Sequence, residues 1–157
     1  MFTKKITTLR DLIEKSKQWK AEGWKIVFAN GVFDILHVGH VRYLAAAKRE
    51  GDILIVGIND DNAVRALKGA PRPIFSEKER MCIIAALGCV DYVFLHAGLD
   101  FSQPLKLLQP HIHAKGTDYS EETVPERDSV LSYGGKIRIV GDPKNHSSSR
   151  LLEKLKK

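Results

Sequence analysis

Two histidines three residues apart, His37 and His40, stand where an apolar run gives way to a helical pattern. Residues three apart on a helix share a face, so the pair presents two imidazoles at a first helical turn. Gly39 lies between them and Gly31 before them, and glycine lets backbone approach a bulky ligand closely. Imidazole N–H groups beside a helix N-terminus, with its free backbone amides and positive dipole end, suit phosphate oxygens. The same pair could ligate a metal, but a metal needs a third ligand and only Asp34 stands near. A plain solvated helix start does not account for a strand, two glycines and two histidines falling together. Phosphate binding is therefore the preferred reading.

Three later places can add chemistry to that point. Lys68 and Arg72 lie in a loop with two prolines, where they could close over a triphosphate as mobile cations or stand as solvated charges. Arg80 sits in the first turns of a helix, against the dipole, which hints at an anionic partner, with Glu77 or Glu79 as the local alternative. Ser147, Ser148 and Ser149 bring three hydroxyls to another helix start, where one serine would suffice as an N-cap.

The elements that must position these residues alternate. Lys25 to Ala29 reads as a buried strand, Asn30-Gly31 breaks it, and from Val38 apolar residues recur at helical spacing. A helix precedes this unit, from about Thr8 to Glu22, ended by Gly23. After it come a strand over Ile53 to Ile58, continuous enough to be buried on both faces, and a short helix through Leu67 capped within Asn59 to Asn62. Ser76 and Glu79 have capping-box spacing before a helix carrying Met81, Ile83, Ile84 and Leu87. Asp91 to Leu95, His111 to Lys115 and Lys136 to Val140 read as strands. Phe101 to Leu108 and Pro125 to Tyr133 read as the helices between them. After a polar loop from Asp142 to His146, a last helix runs from Arg150 to Lys156. Strands separated by helices imply a parallel sheet with right-handed crossovers. The expected fold is α/β, a Rossmann-like three-layer sandwich with a five-stranded parallel sheet. No internal repeat or low-complexity linker interrupts it, so residues 1–157 read as a single domain.

Composition bounds the rest. The 157 residues are 43% hydrophobic and 28% charged, ordinary for a soluble globular protein with a sizeable core. No apolar run approaches a membrane span, and Met1 to Lys5 lacks the pattern of a signal peptide; a cytoplasmic protein is expected. Cys82 and Cys89 fall in an apolar segment with no zinc spacing, so buried reduced thiols are expected. The formal charge of +6 is concentrated at Lys15, Lys17 and Lys20 and in the tail. No nucleic-acid-binding signature accompanies it, so no nucleic-acid partner is expected.

The stretch Asn30-Gly31-Val32-Phe33-Asp34-Ile35-Leu36-His37-Val38-Gly39-His40 resembles the signature of the nucleotidylyltransferase superfamily, His-x-Gly-His after the first strand. Arg42-Tyr43-Leu44 extends the likeness to its cytidylyltransferase-type branch. Lys68-Gly69-x-x-Arg72-Pro73, Glu79-Arg80, Lys115-Gly116-Thr117-Asp118-Tyr119, Glu122 to Arg127 and Gly134-Gly135 carry it along nearly the whole chain. They are similar to the adenylyltransferase module of ADP-heptose synthesis, which in many relatives is fused to a sugar kinase; a stand-alone transferase is expected here. The chain departs from that pattern at Thr117, where glycine is usual, and at Ser147-Ser148-Ser149, where Ser-Thr-Thr is usual.

The resemblance implies transfer of AMP from ATP to a heptose 1-phosphate with release of pyrophosphate. The alternative is a cytidylyltransferase acting on glycerol 3-phosphate or another polyol phosphate, or an FAD-forming adenylyltransferase. A sugar phosphate is already an anionic nucleophile, so catalysis reduces to positioning and charge stabilisation. His37 and His40 are expected to stabilise the developing charge, with Lys68 and Arg80 clamping the leaving phosphates. Asn30, Gly31, Val32, Phe33, Gly39, Lys115 and Gly116 are expected around the nucleotide, Asp118 on a ribose or sugar hydroxyl, and Ser147 to Ser149 on phosphate oxygens. Mg²⁺ is expected with the triphosphate, with no protein metal cage. Asp34 is expected to brace its loop. A homodimer is expected, because edge strands of an open sheet invite covering.

Overall fold

The computed structural model describes residues 1–143 and 147–156. The polar loop expected over Asp142 to His146 thus lies in part outside the described residues, as does Lys157. Five strands form one parallel sheet: β1 (Ile26–Gly31), β2 (Ile53–Asn59), β3 (Tyr92–His96), β4 (Ile112–Lys115) and β5 (Lys136–Ile139), in the order β3-β2-β1-β4-β5. The helices are α1 (Leu9–Ala21), α2 (Val38–Lys48), α3 (Asp61–Lys68), α4 (Glu77–Ala85), α5 (Ser102–Leu108), α6 (Arg127–Ser132) and α7 (Ser148–Leu155). A short 3-10 turn, Phe2–Lys5, precedes them. It has no periodicity to betray it, and it leads into an isolated bridge from Ile6 to Val93 on the outer edge of β3.

The period-two alternation of β1 and β2 divides the core. Val27, Ala29, Leu54, Val56 and Ile58 face one cluster with Leu44 and Ala47 of α2 and Ile84 and Ala85 of α4. Ile26, Phe28, Ile53 and Ile55 face the other, with Leu12 of α1, Leu105 and Leu108 of α5 and Val130 of α6. Helices on both faces make three layers, and β2 is buried along its whole length, as a central parallel strand must be.

The chain leaves β1 toward β2 and β3, then returns to lay β4 on the other flank of β1. At that reversal the connections at the strands' C-terminal ends diverge and open a crevice. Aromatic rings stiffen the sheet beneath it: Phe28 lies 5.7 Å from Phe101 and 6.1 Å from Phe94, centroid to centroid. Gly57 of β2 makes room for this cluster. A Cβ there would stand 2.4 Å from Phe101 Cε1 and 3.0 Å from Phe28 Cζ.

The expected thiols need one correction. Both cysteines are free, but Cys82 lies on the exposed side of α4 rather than in the core. The apolar residues around it in sequence belong to the opposite side of the same helix.

Gly57→Ala tests the ring packing. It should destabilise the protein by about 1–3 kcal/mol through overpacking, read as a lower denaturant midpoint with an unchanged slope.

Candidate active site

The turn leaving β1 is tightly constructed. Phe33 adopts φ 50°, an uncommon conformation for a bulky residue. Its ring folds back over Gly31, where a Cβ would stand 2.9 Å from Phe33 Cε2. The same ring meets His40 edge-on, at 5.3 Å between centroids.

His37 is the N-cap of α2. Its Nδ1 accepts the Gly39 backbone N–H at 3.1 Å, and His40 Nδ1 accepts the His37 N–H at 3.3 Å. This is a capping box built from imidazoles in place of the usual hydroxyl and carboxylate. The rings stack at 3.8 Å, 22° from parallel. An imidazole nitrogen that accepts a backbone N–H carries no hydrogen, so each neutral ring carries its hydrogen on Nε2. The cap therefore leaves two Nε2–H donors on the edges turned away from the helix backbone. Both histidines line a crevice of about 710 Å³.

That crevice brings together most of the residues singled out by sequence. Asn30, Gly31, Val32, Phe33, His37, Gly39 and His40 line it from the β1–α2 turn, and Lys68 from the end of α3. Lys115, Gly116 and Asp118 line it from the end of β4, and Ser147 and Ser148 from the start of α7. Ser149 is exposed and is not among the lining residues. The serines also have structural work: Ser147 Oγ accepts the Arg150 N–H at 3.1 Å, and Ser148 Oγ donates to the Ile35 carbonyl at 3.1 Å. Thr117, where the family pattern has glycine, donates through Oγ1 to the Asp142 carbonyl at 2.8 Å and so ties two crevice loops together.

Arg80, expected as a clamp on the leaving phosphates, stands elsewhere. It is fully buried, behind the β1–α2 turn and outside the crevice lining. Nη1 donates to the Val32 carbonyl at 2.7 Å, Nη2 to Asp61 Oδ1 at 2.8 Å and Nε to the Phe75 carbonyl at 3.1 Å. The cation against the α4 dipole does have an anionic partner, but it is a side chain of α3. Glu79 instead completes a capping box with Ser76, and Glu77 accepts the Asp61 N–H.

Arg72, one of the two expected mobile cations, is also fixed. It is 7% exposed, and its Nε donates to Asp34 Oδ2 at 2.5 Å. Asp34 further accepts the backbone N–H groups of Ile74 and Phe75 at 2.9–3.0 Å, so it braces the two loops against each other. Burial alone would raise its pKa; the Phe75 and Ile74 amides and the Arg72 guanidinium outweigh that and hold the carboxyl below its ordinary value.

His111 and His113, two residues apart, each have structural partners. His111 Nδ1 accepts the Ile26 N–H at 2.9 Å. His113 is fully buried between the Phe28 carbonyl and Glu126. Glu126, 4% exposed, also lines the crevice. The family likeness includes it within Glu122 to Arg127, but local spacing gives its carboxylate no role, because its partners lie on β4.

Comparison with known proteins follows the same lines. A family model described as cytidylyltransferase-like matches residues 28–151. The bifunctional protein HldE of Syntrophotalea carbinolica is 44% identical over 151 residues, covering 94% of this chain and 30% of that protein. HldE of Geobacter metallireducens is 46% identical over 154 residues, covering 96% and 31%. The chain thus spans less than a third of the length of these curated relatives. Among solved structures, the lipopolysaccharide core biosynthesis protein from Thermoplasma volcanium matches with a TM-score of 0.66 at 32% identity, over 78% of this chain and all of that one. Pantothenate synthetase from Thermus thermophilus, at 17% identity and a TM-score of 0.63 over 94% of this chain and 67% of that one, shares the fold.

Asp34 gives a prediction with a sign. Its folded pKa is depressed, so the stability it contributes is full above its unfolded value of about 3.9 and is lost as pH falls through the lower folded value. Asp34→Asn should remove that part of the acid sensitivity. At neutral pH it should cost about 3–5 kcal/mol by leaving a buried guanidinium unpaired. Denaturant unfolding of both proteins at pH 7 and pH 3 checks both statements.

Proposed function

We propose that this chain, which belongs to the cytidylyltransferase-like family, transfers AMP from ATP to a heptose 1-phosphate, releasing pyrophosphate and forming ADP-heptose. The observation that carries nucleotidyl transfer is the imidazole capping box, which sets two Nε2–H donors at a helix N-terminus beside a crevice large enough for a nucleotide. The choice of adenylyl and heptose rests on the motif likeness to the adenylyltransferase module of ADP-heptose synthesis. It is supported by 44–46% identity to the bifunctional HldE proteins. The 32% identical Thermoplasma protein is named for lipopolysaccharide core biosynthesis, which agrees with a sugar phosphate as acceptor.

The acceptor phosphate attacks the α-phosphorus in line and pyrophosphate leaves opposite. The nucleophile is already charged, so no protein base is needed. His37 and His40 donate to oxygens whose charge grows in the transition state, and the positive end of α2 adds to the same field. Lys68, at the last turn of α3, meets the leaving phosphates. Asp118 accepts from a ribose or sugar hydroxyl. Gly31 and Gly39 let backbone come close to the nucleotide. Mg²⁺ bound to the triphosphate would neutralise part of its charge, without a cage of protein carboxylates. Arg80 is left out of this chemistry, since its guanidinium holds the turn from behind.

We further propose a cytoplasmic homodimer. The supporting observations are that no helix among the described residues is long and apolar enough to cross a membrane, and that β5 pairs along only one side. Sedimentation velocity at high concentration should give twice the monomer mass; a monomer would remove the dimer from the account.

Pyrophosphate release measured for each nucleoside triphosphate against a panel of sugar and polyol phosphates tests the function. ATP with heptose 1-phosphate should lead the panel, and a lead for CTP with glycerol 3-phosphate would replace the assignment. In the same assay His40→Ala should lower turnover by roughly two to three orders of magnitude, the effect of losing one transition-state donor. ATP affinity should fall much less, because the ground state lacks the developing charge.

A further inference from the structure

The crevice floor holds an ionisable cluster that the transfer chemistry above does not use. Lys115, at the C-terminal end of β4, is 7% exposed, Glu126 4% and His113 fully buried. Lys115 Nζ lies 3.8 Å from Glu126 Oε2 and 3.4 Å from Asn30 Oδ1, and 4.6 Å above the Tyr119 ring. Glu126 Oε2 in turn lies 3.4 Å from His113 Nε2, and His113 Nδ1 lies 3.3 Å from the Phe28 carbonyl.

The contacts of Lys115 are unequal to its needs. An ammonium has three N–H donors, and removing it from water is costly unless it is paired and well bonded. Here one oxygen stands at the far limit of a hydrogen bond and the other beyond it. A cation packed only for itself would be drawn into contact with its carboxylate. This one is held at arm's length on the crevice wall, beside Asn30 of the signature turn. A phosphate oxygen entering the crevice is the missing acceptor, and it would match both the charge and the unfilled donor.

We propose that Glu126, backed by His113, is a positioning residue of the transfer site: it keeps the Lys115 ammonium under-bonded on the crevice floor, where it donates to a phosphate oxygen of a bound substrate. The proposal rests on the nucleotidyl-transfer reading for its chemistry. The phosphate belongs either to the nucleotide or to the sugar phosphate, and separate binding measurements tell which. Glu126 is the counter-charge, and His113 fixes its carboxylate from behind. The other ionisable groups around Lys115 are Asp118 and Tyr119 on the loop after β4. Tyr43 of α2 also lines the crevice, with its hydroxyl donating to the Ala114 carbonyl at 2.7 Å. From β1 the neighbour is uncharged Asn30. Burial pulls the Lys115 pKa down while Glu126 and Asp118 oppose that pull, so loss of the Glu126 charge lowers it further.

The test is the pH dependence, from pH 6 to pH 10, of kcat/KM for ATP and of equilibrium binding of ATP and of sugar phosphate, each alone. It uses wild type, Glu126→Gln and Lys115→Gln, with folding checked by circular dichroism. Glu126→Gln keeps the shape and an acceptor for His113. Its alkaline limb should move down by about one pH unit or more, with near-normal binding at pH 6. Lys115→Gln, which removes the ammonium and is checked for folding because it leaves Glu126 without its cation, should lose that limb and weaken one of the two ligands by about 10- to 100-fold. The weakened ligand identifies the phosphate. A folded Glu126→Gln whose loss is equal at every pH, or a Lys115→Gln that binds both ligands normally, overturns the proposal. Should Glu126→Gln fail to fold, Lys115→Gln decides alone. Absence of turnover in wild type would defeat the transfer reading, and the pH dependence of ATP binding would still decide the role of Lys115.

Discussion

The N–H groups at the start of α2 must find acceptors, and here two of them, on His37 and Gly39, find imidazoles. His37 caps Gly39 and His40 caps His37. This single constraint fixes the rotamer, stacking and tautomer of both rings at once. A serine and glutamate box satisfies the same backbone but, as at Ser76 and Glu79, turns its one hydroxyl donor back onto the carboxylate. The imidazole box satisfies it through Nδ1 and keeps an N–H on each far edge. The helix start is thus both closed as a structural element and equipped as an anion site.

Much of the surrounding structure holds that turn in place. Arg80 grips the Val32 carbonyl from α4, Ser148 grips the Ile35 carbonyl from α7, and Asp34 binds the loop at 72–75. Three distant segments therefore converge on residues 32–35. The buried charges at Arg72, Arg80 and Asp34 are expensive places for ions, and well-packed apolar residues would often do as well for stability alone. What they add is direction, since a guanidinium or carboxylate with several fixed partners holds a loop in one arrangement. Phe33, held at positive φ over Gly31, is part of the same tension.

The order of elements was legible because each strand is a short apolar run and each helix has periodic spacing or a cap, as at Ser76 and Glu79. The histidine pair was legible because its chemistry and its position are adjacent in sequence. The roles of Arg72 and Arg80 were not. Their side chains reach partners 38 and 19 residues away, at Asp34 and Asp61, and no local spacing encodes that reach. Their exposure also reads wrongly from sequence, because arginines in loops and first turns are usually solvated, whereas these two are walled in by the turn they support. The role of Glu126 was hidden for a related reason: it stands at the start of α6, and its partners, His113 and Lys115, lie on β4.

The tautomer of the two histidines is the claim on which the account turns. Nitrogen-15 NMR of histidine-labelled protein, with long-range correlations to the ring protons, reads it directly, and His37→Gln and His40→Gln variants assign the two rings. The account predicts that each neutral ring has a bare Nδ1 and a protonated Nε2. A neutral ring with its hydrogen on Nδ1, in either residue, would mean that the imidazoles do not cap the helix in this way and would contradict it.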